Sequence, residues 1–230
     1  MIRQLRRLAV PGVMTIVMLA VLLGLGTWQV ERLHWKQAIL SQIARAEAAP
    51  AIDLPASPDP FAKVRVSGTL REDLAASYGA EVRDTRAGPQ LGSHLIVPLE
   101  RDASDAILVD RGWVPDSRPA PIARPEGEVM VEGYVRPSDT PGPFSATDSP
   151  LTRRFYTLNA AAIGAALGLN RVAPFVLVAM GQPPPETYPD PARHLPRPPN
   201  NHLSYAITWY GLAVALVVIF VLWARKVLSE

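Results

Sequence analysis

Two stretches limit what this chain can fold into. Leu8–Val30 and Leu203–Ala224 each run without a single charged residue. A helix crosses a bilayer with about 20 mostly apolar residues, so either stretch is long enough to span. Nothing between them approaches that length without a charge. The sequence therefore predicts a membrane protein with two transmembrane helices, 8–30 and 204–224, flanking one extramembrane domain over 31–203. Short tails, 1–7 and 225–230, remain outside the spans.

The first stretch begins like a signal peptide, with Arg3, Arg6 and Arg7, but its apolar run exceeds the roughly 7–15 residues of a signal core. It closes in Gly24-Leu25-Gly26-Thr27-Trp28-Gln29 with no small-residue cleavage site, so an uncleaved anchor is expected. Basic residues before the first span and Arg225 with Lys226 after the second put both termini in the cytoplasm by the positive-inside rule. The central domain is then periplasmic. The few residues before the first span leave no room for a mitochondrial transit peptide, which favours a bacterial plasma (inner) membrane.

Charge narrows the partners. Five of the 23 Lys and Arg fall in the tails, as does one of the 21 Asp and Glu, which leaves the segment between them at 18 against 20, close to −2. With no basic run in that domain, nucleic acid is not an expected partner. Cysteine is absent, which excludes disulfides, thiol catalysis and copper delivery through a Cys-x-x-Cys pair.

The outer domain reads as β-rich (α+β). Lys36–Ala48 extends the first helix into solvent until Pro50, Pro55, Pro58 and Pro60 end it. Lys63–Gly68 and Glu128–Val135 alternate with period two, the mark of strands with one wet face. His94–Leu99, Ala106–Val109 and Phe175–Ala179 are more uniformly apolar and suit a sheet core. Asn159 is a plausible N-cap for a short helix to Leu169. Short strands at turn-marked intervals suggest an antiparallel sheet or partial barrel. Eight of the 18 residues over 182–199 are proline, predicting a semi-rigid polyproline strap or a solvated linker.

Nothing points to catalysis. The four histidines, His34, His94, His194 and His202, carry no G-x-S-x-G, H-E-x-x-H or Walker motif beside them. The paired carboxylates Glu72 and Asp73 are neighbours in sequence without a reason to share a site. In Ile107–Pro115 an apolar strand runs into Asp110, Arg111, Gly112 and Trp113. One reading is a strand end, with Arg111 paired to a carboxylate, Gly112 in a bulge and Trp113 closing the core. The other is a docking surface.

The membrane helices offer more. His202, Tyr205, Ala206 and Trp209 fall at i, i+3, i+4 and i+7, one helix face, with the imidazole at the outer boundary. Gly24, Gly26 and Trp28 close the first span on the same side of the membrane. Together these residues would line a slot with an apolar body and an imidazole rim, as a lipophilic porphyrin requires. The plainer alternative is an aromatic interface belt with a polar cap.

Four stretches, "GTWQVERLHWK" (26–36), "VRVSGTL" (64–70), "ILVDRGWVP" (107–115) and "NNHLSYAITWYGLA" (200–213), make the chain resemble the Surfeit locus protein 1 family of membrane assembly factors for haem–copper cytochrome c oxidase. The resemblance implies a non-enzymatic role in oxidase biogenesis, around the catalytic subunit and its haem a. It implies haem a binding with His202 as axial ligand, and the slot read above would then put Tyr205, Trp209, Trp28, Gly24 and Gly26 around the haem. It also implies contacts with the catalytic subunit through Gln29, Arg32, Arg111, Gly112 and Trp113. The haem a synthesis machinery and membrane lipid are further expected partners. A cofactor-free scaffold for the nascent subunit is the alternative, and an enzyme acting on haem or quinone a more distant one. Near 153–169 the likeness loosens, with Phe155, Tyr156 and Asn159 where the family has Trp and Asp.

Overall fold

The computed structural model describes residues 2–85, 88–102, 104–118, 120–182 and 187–229, the first five as backbone only. The chain divides into two compact units, one of residues 1–42 with 197–230, the other of residues 43–196. The first unit is built from two helices. Helix α1 (Ile2–Ala48) continues without a break past the apolar run, as its composition predicts. Helix α3 (His202–Ser229) is the second span, opened by Asn200, whose side-chain oxygen accepts from the His202 amide at 3.4 Å. Both are long and apolar enough to cross a membrane, and little of their apolar windows is covered by protein.

The second unit is a partial barrel. Its strands are β1 (Ile52–Asp53), β2 (Lys63–Leu70), β3 (Ala76–Thr85), β4 (Gly88–Glu100), β5 (Ala106–Pro115), β6 (Glu128–Pro137), β7 (Arg154–Phe155) and β8 (Val172–Ala179), with helix α2 (Ala160–Ala166) between the last two. The sheet runs β1-β2-β6-β8-β5-β4-β3-β7. A short pairing of Thr69 with Glu100 and Leu70 with Leu99 brings β4 back to β2, so five strands form a ring. Five strands, partial closure and this crossing order are the marks of an OB-type barrel. The sheet is mixed: β5 runs parallel to β8, because β6 carries the chain back to the end where β5 began and the segment with α2 leads into β8 from there.

Two cores explain the two kinds of strand in the sequence. Val64, Val66, Val97, Leu99, Ile107, Val109 and Leu177 point into the barrel. On the other side of β4, β5 and β8, Ile96, Leu108 and Val176 are covered by Phe155, Leu158 and Ile163. Strands buried on both faces read as continuous apolar runs, while β2 and β6 keep one wet face and alternate. Asn159 caps α2, its side-chain oxygen accepting from the Ala162 amide at 2.8 Å. A Leu at that position would lose about 1 kcal/mol of cap.

Part of the proline-rich strap is not free in solvent. Leu195 is fully buried, Asp190 forms a bridge with Trp113, Tyr188 with Ile122, and Ala192 with Met180. Residues 183–186 of the strap lie outside the described residues.

Candidate functional site

The head of the helix pair is organised by small and polar residues. A Cβ on Gly26 would sit 2.8 Å from the Tyr210 ring, so only glycine lets that ring lie against α1. The Tyr210 hydroxyl meets Thr27 Oγ1 at 3.2 Å. Further down, Gly12 faces the Phe220 ring. Leu22, Gly26 and Gln29 are the buried positions of α1 here, and Ala206 and Ala213 those of α3. Helices approach closely where such small residues recur at turn spacing. At the top, His202 Nδ1 lies 2.8 Å from Gln29 Oε1, a hydrogen bond across 173 residues of sequence. The imidazole is half-buried, and its Nε2 has no partner among the described residues.

The expected slot is only partly assembled. His202, Gly26 and the half-buried Trp209 belong to the helix seam. Tyr205 and Trp28 stand 55 % and 50 % exposed, and nothing approaches the Gly24 position. The interval between the helices at Gly26 is occupied by Tyr210, so a flat ligand does not enter there; the accessible side of the imidazole is what remains. The predicted face split because i, i+3, i+4 and i+7 cover a broad arc: 206 and 213 meet α1 while 205 turns outward. The small residues Ala206 and Ala213, seven apart, were the sequence signal for that seam. Gln29, expected at a partner surface, is 9 % exposed within the helix contact. Arg32 is exposed with its guanidinium 4.4 Å from the Trp35 ring centre.

In the barrel unit, Arg111, Gly112 and Trp113 turn inward. Two residues, Arg111 and Gly112, face the single Leu95 between the pairs His94–Trp113 and Ile96–Asp110, which makes a bulge. Gly112 adopts φ +122° there. Arg111 pairs with Glu72 and donates to the Ala123 carbonyl at 2.9 Å, while Asp73 pairs instead with Arg71. Trp113 is 2 % exposed, donates from Nε1 to the Glu81 carbonyl at 3.2 Å and meets Tyr188 edge-on. Its backbone exchanges two 2.9 Å hydrogen bonds with Asp190. These are the features of the strand-end reading; the three residues present little surface.

His94, read from sequence as a core or sheet-face residue, sits between two carboxylates. Nδ1 is 2.9 Å from Asp110 Oδ2 and Nε2 is 3.0 Å from Glu81 Oε2. Asp110 is 1 % exposed and also accepts from the Gly112 amide at 3.0 Å. Arg83 grips Glu81 and lies over the Trp113 ring. Burial disfavours the imidazolium, but Asp110 and then Glu81 outweigh it, so the His94 pKa is raised above 6.5. The imidazolium therefore contributes its full stabilisation below about pH 6.5, and this is lost as pH rises through the raised folded-state pKa, at about 1.4 kcal/mol per unit of difference. Thermal unfolding of the detergent-solubilised chain is expected to show a midpoint that falls above pH 6.5, with the slope removed by His94→Gln. A wild-type profile as flat as the variant's would mean that His94 is neutral between the carboxylates.

Among the described residues no group of three or more His, Asp or Glu is placed to hold a bare metal ion. The model of the SURF1 family matches residues 16–214 of the chain. The chain is similar to the SURF1-like protein of Rickettsia felis, 28 % identical over 227 residues that cover 95 % of this chain and 98 % of that protein. It is 30 % identical over 218 residues to the SURF1-like protein of Rickettsia bellii, covering 91 % and 89 %. With Surfeit locus protein 1 of Mus musculus it shares 30 % identity over 226 residues, 88 % of this chain and 71 % of that one.

Proposed function

The chain belongs to the SURF1 family, and from that premise we propose that it is a non-enzymatic assembly factor for haem–copper cytochrome c oxidase, binding haem a at the head of α3 and assisting its insertion into the catalytic subunit. The observation that carries the haem reading is the donor set at His202. Its Nδ1 is engaged by Gln29, its Nε2 is unpartnered among the described residues, and the ring is half-exposed at the start of an apolar helix. That is the form of imidazole an iron porphyrin takes as an axial ligand. Tyr205, in the first turn of α3, and Trp28, next to Gln29 on α1, are exposed and offer apolar surface to a lipophilic ring. When bound, haem a would supply the iron centre; the chain's own part is to present one nitrogen and an apolar wall.

In this reading both termini are cytoplasmic and the barrel is periplasmic, in a bacterial inner membrane; the basic residues flanking the two apolar runs support that orientation through the positive-inside rule. The partners in this reading are the catalytic subunit and, upstream, the haem a synthesis machinery.

The test is an absorption spectrum of the detergent-purified chain, co-expressed with haem a synthesis, beside His202→Ala. Haem a in the wild type and its loss in the variant are expected. If neither carries haem while both restore oxidase activity in a deletion strain, the protein is a cofactor-free scaffold and His202 a boundary residue.

A further inference from the structure

The contact between Gln29 and His202 defines more than a helix register. We propose that Gln29 is the positioning residue of the haem site: its side-chain oxygen holds His202 as the Nδ1–H tautomer, so that the lone pair stands on Nε2. This rests on the reading of His202 as an iron ligand, and gives that ligand its orientation and protonation form.

Only Nδ1–H can donate to Gln29 Oε1 across 2.8 Å, and a neutral imidazole has one N–H. Fixing it at Nδ1 leaves Nε2 as the acceptor nitrogen, which is the one without a partner among the described residues. Metal-bound imidazoles commonly donate their second N–H in this way, which fixes both tautomer and ring orientation. Gln29 is itself held. It is 9 % exposed, one turn beyond Gly26, where the Tyr210 ring and the Thr27–Tyr210 hydrogen bond set how α1 meets α3. A glutamine also suits the position chemically. Its uncharged oxygen accepts the proton's hydrogen bond without drawing it off, whereas a carboxylate in the same place would make the imidazole a stronger donor. At the edge of an apolar segment the neutral pair is also the less costly one to bury.

The inference separates from the haem reading because tautomer is measurable without haem. The full chain, labelled with nitrogen-15 histidine, is purified haem-free in detergent at a pH where imidazole is neutral. The His202 signals are assigned by their loss in His202→Asn. A pyrrole-type shift for Nδ1 and a pyridine-type shift for Nε2 are expected in the wild type, retained in Gln29→Glu. In Gln29→Met, which has similar bulk and no strong acceptor, the preference should disappear. Titration with haem a should then show affinity about 10–100-fold weaker for Gln29→Met, with affinity rescued by Gln29→Glu and the reduction potential of the bound iron lowered. Tyr210→Phe serves as the control, since it removes the neighbouring hydrogen bond and leaves Gln29 in place.

A wild-type His202 protonated on Nε2 overturns the inference, whatever the haem content. So does a loss of affinity in Tyr210→Phe equal to that in Gln29→Met, which would make the effect one of helix packing. If the tautomer is as expected and follows Gln29 while the wild type takes up no haem a, the failure belongs to the haem reading, and the positioning role falls with it.

Discussion

Gly112→Ala is expected to lift residues 187–196 off the end of β5 and to destabilise the barrel by roughly 2–6 kcal/mol. Two penalties coincide at this residue. Its φ of +122° lies where an L side chain is strained, at about 1–3 kcal/mol. A Cβ there would also overlap the Asp190 carbonyl and stand 2.7 Å from Pro191 Cα, and overpacking adds about 1–3 kcal/mol. The obstructing atoms are backbone, so no change of rotamer relieves them. They also belong to the residue that pairs with Trp113, through Trp113 N–H to Asp190 O and Asp190 N–H to Trp113 O. Relief must come by breaking that bridge. Two measurements on the detergent-solubilised chain check this: the urea midpoint, which should drop, and tryptic cleavage after the exposed Arg193, which should accelerate. Gly127→Ala is the comparison. Gly127 has φ +76° with nothing within 4 Å of its Cβ position, so it carries the backbone strain alone. Equal effects at the two glycines would show that the approach of Asp190 is not what requires glycine at 112.

The contrast between these two glycines also shows what the sequence could disclose. Local signals were legible: two charge-free runs, period-two alternation in β2 and β6, the Asn159 cap, and the bulge with its carboxylate-paired arginine. Each depends on residues within a few positions of one another. Long-range pairings were not legible. Ring closure through Thr69 and Leu70 and the parallel contact of β5 with β8 leave no periodic trace. Strand β3 was missed because its side chains are mostly half-exposed, with Gly79 and three charged residues interrupting the pattern. The docked end of the strap has the same cause: proline content predicts an extended backbone but says nothing of Trp113 as its partner. At the helix head the periodicity grouped His202, Tyr205, Ala206 and Trp209 on one arc, of which Ala206 is buried against α1 and Tyr205 stands exposed. Gln29 was expected at a partner surface through the family motif; its hydrogen bond to His202 left no local trace, because the two lie on different helices. A polar side chain beside one end of each charge-free run was the one available hint that these two residues meet.

Removing Arg111 alone is expected to cost about 3–5 kcal/mol, and removing it together with Glu72 far less. The two side chains are 11 % and 16 % exposed and form an ion pair. Burial dominates the titration of both. It pushes the Glu72 carboxyl up in spite of Arg111 and Arg124, and pulls the Arg111 guanidinium down in spite of Glu72. Each charge is thus poorly solvated and depends on the other. Breaking such a pair strands one buried charge, at roughly 3–5 kcal/mol, whereas replacing both partners by apolar residues is often neutral or stabilising. In Arg111→Met the orphaned Glu72 should titrate higher still. Its folded-state pKa then exceeds the unfolded one, so the variant's deficit shrinks on acidification and grows as pH rises through that pKa. Urea unfolding of Arg111→Met, Glu72→Leu and the double variant closes a thermodynamic cycle. A double variant as unstable as Arg111→Met would assign the cost to the lost Arg111–Ala123 hydrogen bond and not to the stranded charge. A stable double variant has a second use, because it is a folded barrel without the motif's arginine. If it restores oxidase activity in a deletion strain, Arg111 serves the fold alone. If it is folded and does not, Arg111 or Glu72 has a role beyond the fold, as the proposed contact with the catalytic subunit requires.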